Sequence, residues 1–293
     1  MALELNTRFD PSYGRPVELA PGVLRLTAEN PSPFTFHGTN TYIIGGKGAL
    51  AVIDPGPDDE KHLQSLLETI DRRPVSHILI SHKHRDHSTL AHRLSAITGA
   101  STLAYDIHVV GRVEHGEAAV LDAGVDAHFR PDAPLADNTV LRGDDWTIRV
   151  LHTPGHAADH CAFALEGTGI TFSADHVMAW STTVVAPPDG SMADYMASLD
   201  RLMEREDRLL LPGHGGAVEK PRSFMRALKA HRKMRERAIM ERLAAGDRKV
   251  HEIVRAIYRD TDPRLHGAAA LSVLAHLEDL VIRGRVDADG PPS

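Results

Sequence analysis

The apolar stretch Ile78-Leu79-Ile80 runs directly into the sequence Ser81-His82-Lys83-His84-Arg85-Asp86-His87, and this junction constrains the chain more than any other feature. Side chains two positions apart in an extended segment share a face, so His82 and His84 can converge on one metal ion while Asp86 and His87 turn toward a second. Imidazole and carboxylate are ligands that borderline divalent ions such as Zn²⁺ accept. The pattern favours half of a two-metal site over a solvated histidine-rich loop.

Three later strand-like stretches also end in a candidate ligand. His156 follows a Pro-Gly turn, and His214 follows another Pro-Gly pair after an apolar run. Asp175 ends the stretch that begins at Ile170, and its two carboxylate oxygens could bridge two cations. His152 stands before its turn and is interpreted as structural. Four strand ends that each carry a ligand favour a dinuclear site.

These motifs resemble those of the metallo-β-lactamase superfamily. The resemblance implies two ligand sets and a bridge, namely His82, His84 and His156 for one metal, Asp86, His87 and His214 for the other, and Asp175 between them. The stretches from Gly38 to Gly45 and from Ile53 to Gly56, with the H-T-P-G-H-x-x-x-H run that ends at His160, are similar to the branch known as β-lactamase-like protein 2. The match covers roughly residues 20 to 285, and a C-terminal winged-helix segment belongs to that branch.

The chain departs from the family pattern at two positions. The residue before the bridging aspartate is usually glycine and is Ala174 here, and His176 replaces a small residue or cysteine. Neither change removes a ligand, but His176 alters the expected surroundings of the substrate.

The fold class that the resemblance implies is α/β, with a four-layer αββα metallo-β-lactamase sandwich. The catalytic domain is expected over residues 1–218, and a basic helix followed by a winged-helix-like domain over 219–293. Hydrophobic periodicity and the turn residues between segments predict strands at 22–27, 41–44, 49–53 and 77–80, with further strands near 101, 140, 146, 161 and 170. The same signals predict helices at 58–71, 88–98, 191–204, 221–243, 250–258 and 267–282.

Length and composition agree with an enzyme that has a large core. A chain of 293 residues with 42% hydrophobic content can bury one large core and a smaller satellite domain. No apolar run approaches the ~20 residues that a membrane span needs, and the first fourteen residues have no export or organelle pattern, so a cytoplasmic location is expected. The single cysteine, Cys161, excludes internal disulfides and is expected to be a buried strand residue.

The ligand set predicts hydrolysis. Two divalent ions, with Zn²⁺ expected first and Mn²⁺ or Fe²⁺ as alternatives, lower the pKa of water from about 15.7 to near 7 and so supply a metal-bound hydroxide at neutral pH. Asp86 and Asp175 are expected to orient that nucleophile. His160 and His176 are the candidates for the leaving-group proton, and the alternative for both is hydrogen bonding that supports the ligands.

Two substrate classes are compatible with the sequence. A small to medium ester or thioester is the first expectation, since relatives with all seven ligands include thioesterases and lactonases. A single-stranded RNA endoribonuclease is the alternative, because that activity is attributed to the related branch. The net charge of −7 argues against non-specific phosphate binding, yet residues 220–249 are locally basic. A solvated helix face explains that stretch equally well.

A third hypothesis makes the C-terminal segment a winged-helix module that binds nucleic acid or protein. Charges from 250 to 286 are balanced, whereas a DNA reader needs a basic face, so packing or a homodimer contact is expected there instead.

Overall fold

The computed structural model of the protein describes residues 3–105, 124–259, 261–262 and 265–288. The strands in this part of the chain are β1 (Val17–Ala20), β2 (Val23–Thr27), β3 (Asn40–Ile44), β4 (Leu50–Ile53), β5 (Val75–Ile80), β6 (Ser101–Tyr105), β7 (Ala133–Leu135), β8 (Val140–Arg142), β9 (Thr147–His152), β10 (Cys161–Leu165), β11 (Ile170–Ala174) and β12 (Leu209–Pro212). The helices are α1 (Glu60–Ile70), α2 (Arg85–Ser88), α3 (Ala91–Thr98), α4 (Met192–Met203), α5 (Pro221–Ala244), α6 (Val250–Ile257) and α7 (His266–Ile282).

The strands form two sheets that pack face to face. The first sheet has the order β1-β2-β3-β4-β5-β6-β7, antiparallel up to β4 and parallel from β4 to β7. The second has the order β12-β11-β10-β9-β8, in which only β11 and β12 run parallel. Their facing side chains form one core, which includes Ile44 and Ile53 from the first sheet and Phe163 and Phe172 from the second.

Helices cover the outer face of each sheet. Leu63 and Leu66 of α1 and Leu94 of α3 pack on the first sheet. Tyr195 and Leu199 of α4 pack on the second. The result is the four-layer αββα arrangement, which confirms the predicted fold class.

The strand ends that carry the candidate ligands meet at one edge of the sandwich, where hydrogen bonds join the two sheets. The amide of Cys161 donates to the carbonyl of Ser81 (2.8 Å), and the amide of Asn40 donates to the carbonyl of Gly213 (2.7 Å). Cys161 itself is buried in β10, as predicted. These bonds join the end of β5 to the start of β10, and the start of β3 to the turn after β12; β9 and β11 flank β10 in the second sheet.

Two small residues allow the backbone to approach closely at this edge. A Cβ on Gly213 would lie 2.5 Å from an oxygen of Asp175 and 2.8 Å from the His87 ring, so a side chain there would collide with the site. Ala174 adopts a φ of 40°, in the left-handed region that favours glycine. The alanine noted in the sequence as a departure therefore occupies a backbone position where glycine would be less strained.

The C-terminal helices share a single long element with the catalytic layers. In its first half, α5 contributes Met225 and Leu228 to the core that contains α4. In its second half it contributes Ile239 to a separate core with Ile253 of α6 and Val273 of α7. The domain boundary between residues 218 and 219 stays a prediction, since α5 belongs to both cores.

The sequence missed or simplified a few elements. Strands β1 and β7 have four and three residues and lie at the two edges of the first sheet, where propensity signals are weak. The helix expected at 88–98 is α3, which begins at Ala91. A further short helix, α2, precedes it and carries Asp86 and His87. Among the described residues, no helix has the length and apolarity to cross a membrane, and the cytoplasmic location stays a prediction.

Candidate metal centre

His82, His84 and His156 place three ring nitrogens around one point; together they are called the histidine group. His82 Nε2 lies 2.9 Å from His84 Nδ1, which lies 3.0 Å from His156 Nε2. Two nitrogens bound to one tetrahedral ion at about 2.0–2.1 Å are separated by roughly 3.3 Å. The three side chains therefore converge closely enough to share a cation.

Hydrogen bonds at Nδ1 of His82 and His156 leave Nε2 of each ring available to a metal ion. The hydroxyl of Ser81 donates to Asp54 Oδ2 (2.7 Å) and so accepts from His82 Nδ1 (2.9 Å). His156 Nδ1 donates to the carbonyl of Val184 (2.7 Å). In both rings the proton is held at Nδ1, which leaves the Nε2 lone pair facing the other histidines.

Asp86, His87 and His214 form a second cluster, called the carboxylate group. His214 Nε2 lies 3.3 Å from Asp86 Oδ2, and His87 Nε2 lies 3.3 Å from the same oxygen. His87 Nδ1 donates to Asp54 Oδ2 (2.9 Å) and His214 Nδ1 donates to the carbonyl of Gly38 (3.2 Å). Both rings therefore direct Nε2 toward the carboxylate.

Asp175 lies between the two groups. Its Oδ2 is 3.6 Å from His156 Nε2 and 3.3 Å from His214 Nε2, and its Oδ1 is 3.6 Å from His87 Nε2. This is the position that a bridging carboxylate needs.

The donor set fits a pair of divalent cations. Asp86 Oδ1, Asp175 Oδ1 and His87 Nε2 are buried and have no hydrogen-bond partner among the described residues. Buried polar atoms are rarely left without a partner, and those that are call for an unseen ion or water. Imidazole nitrogens with carboxylate oxygens are ligands that suit zinc and similar divalent ions.

The pKa values of the histidines shift in opposite directions in the two groups. In the histidine group, burial and the neighbouring imidazoles lower the pKa of His82 well below its usual value and that of His84 to about 3. In the carboxylate group, burial also disfavours the imidazolium, but Asp175 and Asp86 outweigh it and raise the pKa of His214 to about 9. The same balance raises the pKa of His87 well above its usual value.

The carboxylates respond in the opposite direction. Burial alone would raise the pKa of Asp86, but His87 and His214 hold it well below its usual range. Burial is likewise outweighed at Asp175, whose pKa His214 and His87 keep well below its usual range. Both carboxylates are therefore ionised at neutral pH.

The metallo-beta-lactamase superfamily model matches residues 34–214, which is more than half of the chain and contains both groups. The chain belongs to this superfamily. A second model, the beta-lactamase associated winged helix domain, matches residues 250–291. The expected family and the expected winged-helix segment are both confirmed.

Individual members of the superfamily align along most of the chain. A beta-lactamase-like protein 2 homolog from Drosophila melanogaster is 30% identical over 92% of this chain and 90% of its own length. An atrochrysone carboxyl ACP thioesterase from Claviceps purpurea is 30% identical over 78% of this chain and 67% of its own length. A metallo-beta-lactamase family protein from Thermus thermophilus, known as a crystal structure, superposes with a TM-score of 0.77 at 25% identity, covering 94% of this chain and 98% of that one. The protein is a hydrolase of this superfamily.

Three further histidines named from the sequence lie beside the ligands. His160 is buried, with Nδ1 2.9 Å from the Thr153 hydroxyl and Nε2 accepting from the Asp175 amide (3.3 Å). His176 is buried with neither ring nitrogen bonded among the described residues, and burial lowers its pKa to about 3. His152 stacks on Tyr105, with ring centroids 3.9 Å apart, and contributes to neither group.

Two supporting residues were not assigned a role from the sequence. Asp54 is almost fully buried and serves both groups, since it accepts from His87 directly and from Ser81, which holds His82. Thr39 donates from its hydroxyl to Asp86 Oδ2 (3.1 Å). Both residues stand in stretches that carried the family resemblance, and their roles depend on contacts 27 to 47 residues away in the chain.

Proposed function

We propose that this protein is a hydrolase with two divalent metal ions, zinc being expected first, which cleaves a small to medium carboxylic thioester or ester. The observation that carries the proposal is the convergence of seven candidate ligand side chains around two buried carboxylate oxygens that accept no hydrogen bond within the described residues. The proposed ligands are His82, His84 and His156, then Asp86, His87 and His214, with Asp175 as the bridge.

Bound at these groups, two divalent ions would supply Lewis acidity toward a carbonyl oxygen and would lower the pKa of water to near 7. The carboxylates of Asp86 and Asp175 are ionised, and Oδ1 of each has no hydrogen-bond donor among the described residues, so both can accept hydrogen bonds from an attacking water and orient it. His87 and His214 direct Nε2 at those carboxylates and keep them in place.

His160 and His176 remain the proposed groups for the leaving-group side of the reaction. Both nitrogens of His160 already contact the protein, which favours an orienting role at Asp175. His176 has two nitrogens without partners in the described chain, and its ring lies against those of His160 and Tyr195. Since its pKa is lowered to about 3, the His176 ring is neutral at pH 7, and its one N–H is the group proposed to donate a hydrogen bond on the leaving-group side.

A thioester is the preferred substrate class for two reasons. The relative from Claviceps purpurea that aligns over most of this chain is named as a thioesterase. The net charge of −7 also disfavours non-specific binding of RNA, which carries one phosphate per nucleotide.

The test is a substrate panel with metal analysis. Acyl-CoA, glutathione thioester, lactone and single-stranded RNA substrates are assayed with added Zn²⁺ or Mn²⁺, before and after chelation. We expect close to two metals per chain and thioester turnover that chelation removes. Full activity with one metal or none would contradict the dinuclear mechanism.

One observation favours RNA as a second candidate substrate. Helix α5 exposes four cations without an ion pair or hydrogen bond among the described residues, namely Arg222, Arg226, Lys233 and Arg237. At 3.6 residues per turn they fall within an arc of about 60° and extend over roughly 22 Å. Other basic residues of the stretch are engaged within the protein: Lys229 pairs with Asp200 and Arg242 with Asp247.

Charge reversal separates this candidate from the first. Replacing Arg226 and Lys233 by Glu should weaken RNA binding and flatten its salt dependence, because each phosphate contact releases counterions. The control is Lys61→Glu on α1, an exposed cation far along the chain from α5. RNA cleavage that ignores salt and the double substitution would rule out this role for α5.

A further inference from the structure

The dipeptide Thr183-Val184 contacts two of the proposed ligands at once. The hydroxyl of Thr183 is shared between the carbonyl of Asp175, at 2.7 Å, and that of His176, at 3.0 Å. The carbonyl of Val184 accepts from His156 Nδ1 at 2.7 Å. The position of this dipeptide therefore sets the orientation of both Asp175 and the His156 ring.

Arg232 of α5 holds this dipeptide from the side of the C-terminal helices. Its side chain is 3% exposed, and its Nη2 donates to the carbonyl of Thr183. Its guanidinium also lies over the ring of Tyr195, 5.0 Å from the centroid.

Tyr195 supports His156 from a second direction. Its helix, α4, packs so closely on the turn before His156 that a Cβ on Gly155 would lie 2.3 Å from the Cα of Tyr195. The amide of Ser191, at the start of α4, donates to the carbonyl of Gly155 (2.9 Å). Arg232 thus touches both structures that fix the ring of His156.

Stability does not account for a guanidinium at this position. Within the described chain, Arg232 has no carboxylate partner and its Nε has no hydrogen bond. Nearby His231 and His276 are also buried or half-buried, with ring nitrogens that lack partners there. A buried charge without a counter-ion is costly, and an apolar side chain of similar volume would fill the space at lower cost.

We infer that Arg232 is a positioning residue, through which helix α5 fixes Thr183-Val184 and thereby the geometry of the metal centre. The inference rests on the proposed function, because it assumes that Asp175 and His156 bind metal. It makes the affinity for metal depend on a side chain from a helix that also belongs to the C-terminal core.

The test measures Zn²⁺ dissociation constants of the full chain by competition with a chromophoric chelator, together with the thermal unfolding midpoint of the metal-free protein. Arg232→Met removes the donor and keeps most of the volume. We expect it to weaken Zn²⁺ binding by about 10–100-fold, the range for residues that orient ligands. The unfolding midpoint should stay within about 4 °C, because the lost hydrogen bond is offset by removal of a buried charge.

Further variants show whether the effect travels through Thr183. Arg232→Lys keeps a donor and should recover part of the affinity. Thr183→Val removes the shared hydroxyl and should weaken binding. In the double variant the two losses should not multiply, because both act through the position of the same dipeptide. Lys229→Met is the matched control: it removes another link between α5 and α4, the ion pair with Asp200, without touching the dipeptide.

The outcomes separate the inference from the proposed function. If the wild-type chain binds no metal, the proposed function fails. If the wild type binds two ions and Arg232→Met binds them as tightly, the inference is overturned while the function stands. Equal losses in Arg232→Met and Lys229→Met would also overturn it, as general loosening. Should Arg232→Met fail to fold, wild-type affinity in Thr183→Val would overturn it alone.

Discussion

The histidine group and the carboxylate group lie side by side, but their histidines differ in protonation when no metal is bound. In the first, burial keeps His82 and His84 neutral, with lone pairs already directed at a common point. In the second, the ionised carboxylate of Asp86 and that of the neighbouring Asp175 hold protons on His87 and His214. The two negative charges are balanced by two protons in the metal-free chain. We therefore expect the histidine group to accept a cation without losing protons, and the carboxylate group to exchange protons for its cation.

The largest effect on metal binding and turnover is expected from removing a candidate ligand of the histidine group. His84→Ala deletes the imidazole whose Nδ1 lies between the Nε2 atoms of His82 and His156. We therefore expect loss of the ion there and no turnover above background. Metal analysis with a thioesterase assay measures both. Retained metal and activity would remove His84 from the ligand set.

Replacing His176, which belongs to neither group, tests whether catalysis needs a side chain beyond the metal ligands. His176→Ala should leave metal content near wild type while the rate falls by roughly 10²–10⁴-fold, the range for a general acid–base group. Metal content and turnover measured on one preparation decide the matter. A fall in metal content would make His176 a supporting or ligating residue, and unchanged values would make it a bystander.

Metal affinity should depend on pH differently at the two groups. The pKa of His214 is raised from 6.5 to about 9, so its proton must leave before metal binds at neutral pH. Affinity at the carboxylate group should rise about tenfold per pH unit for each proton displaced up to about pH 9, whereas the histidine group should change little above pH 7. Calorimetry in buffers of different ionisation enthalpy counts the protons, and equal counts at both sites would contradict the contrast.

The same shift predicts how the metal-free fold responds to pH. Because the folded-state pKa of His214 exceeds the unfolded value, its stabilisation is fully present below about 6.5 and is lost as the pH rises toward 9. Added metal should reverse that loss, which thermal unfolding at pH 6.5 and 9 would reveal.

The smallest effects come from residues behind the ligands. Asp54→Asn replaces a carboxylate oxygen that serves both groups, so metal affinity should fall about 10–100-fold at each site. His152→Ala is the control, since its ring stacks on Tyr105 at the strand side of the turn. An effect of His152→Ala on metal affinity as large as that of Asp54→Asn would show that the assay does not separate support from packing.

The candidate ligands could be named from the sequence because each stands in a short motif at the end of an apolar strand, and the structure brings these side chains together. The roles of their partners could not, because they depend on contacts distant in the chain: Thr39 reaches Asp86 across 47 positions, and Arg232 reaches Thr183 across 49. Arg232 stood in a basic stretch that predicted an exposed charged face, whereas the fold buries it. The layers and most helices followed from periodicity, and short edge strands such as β7 did not.

The continuity of α5 bears on how such proteins can exchange parts. One unbroken helix of 24 residues carries Arg232 and contributes to both cores, so a recombination point at residue 219 would separate the metal centre from a side chain that contacts its supporting dipeptide. A junction after Ala244, at the turn near Gly246, would keep that contact with the sandwich. That junction would still divide the core that Ile239 of α5 shares with α6 and α7, so α5 ties the C-terminal helices to the metal centre whichever side of it is cut.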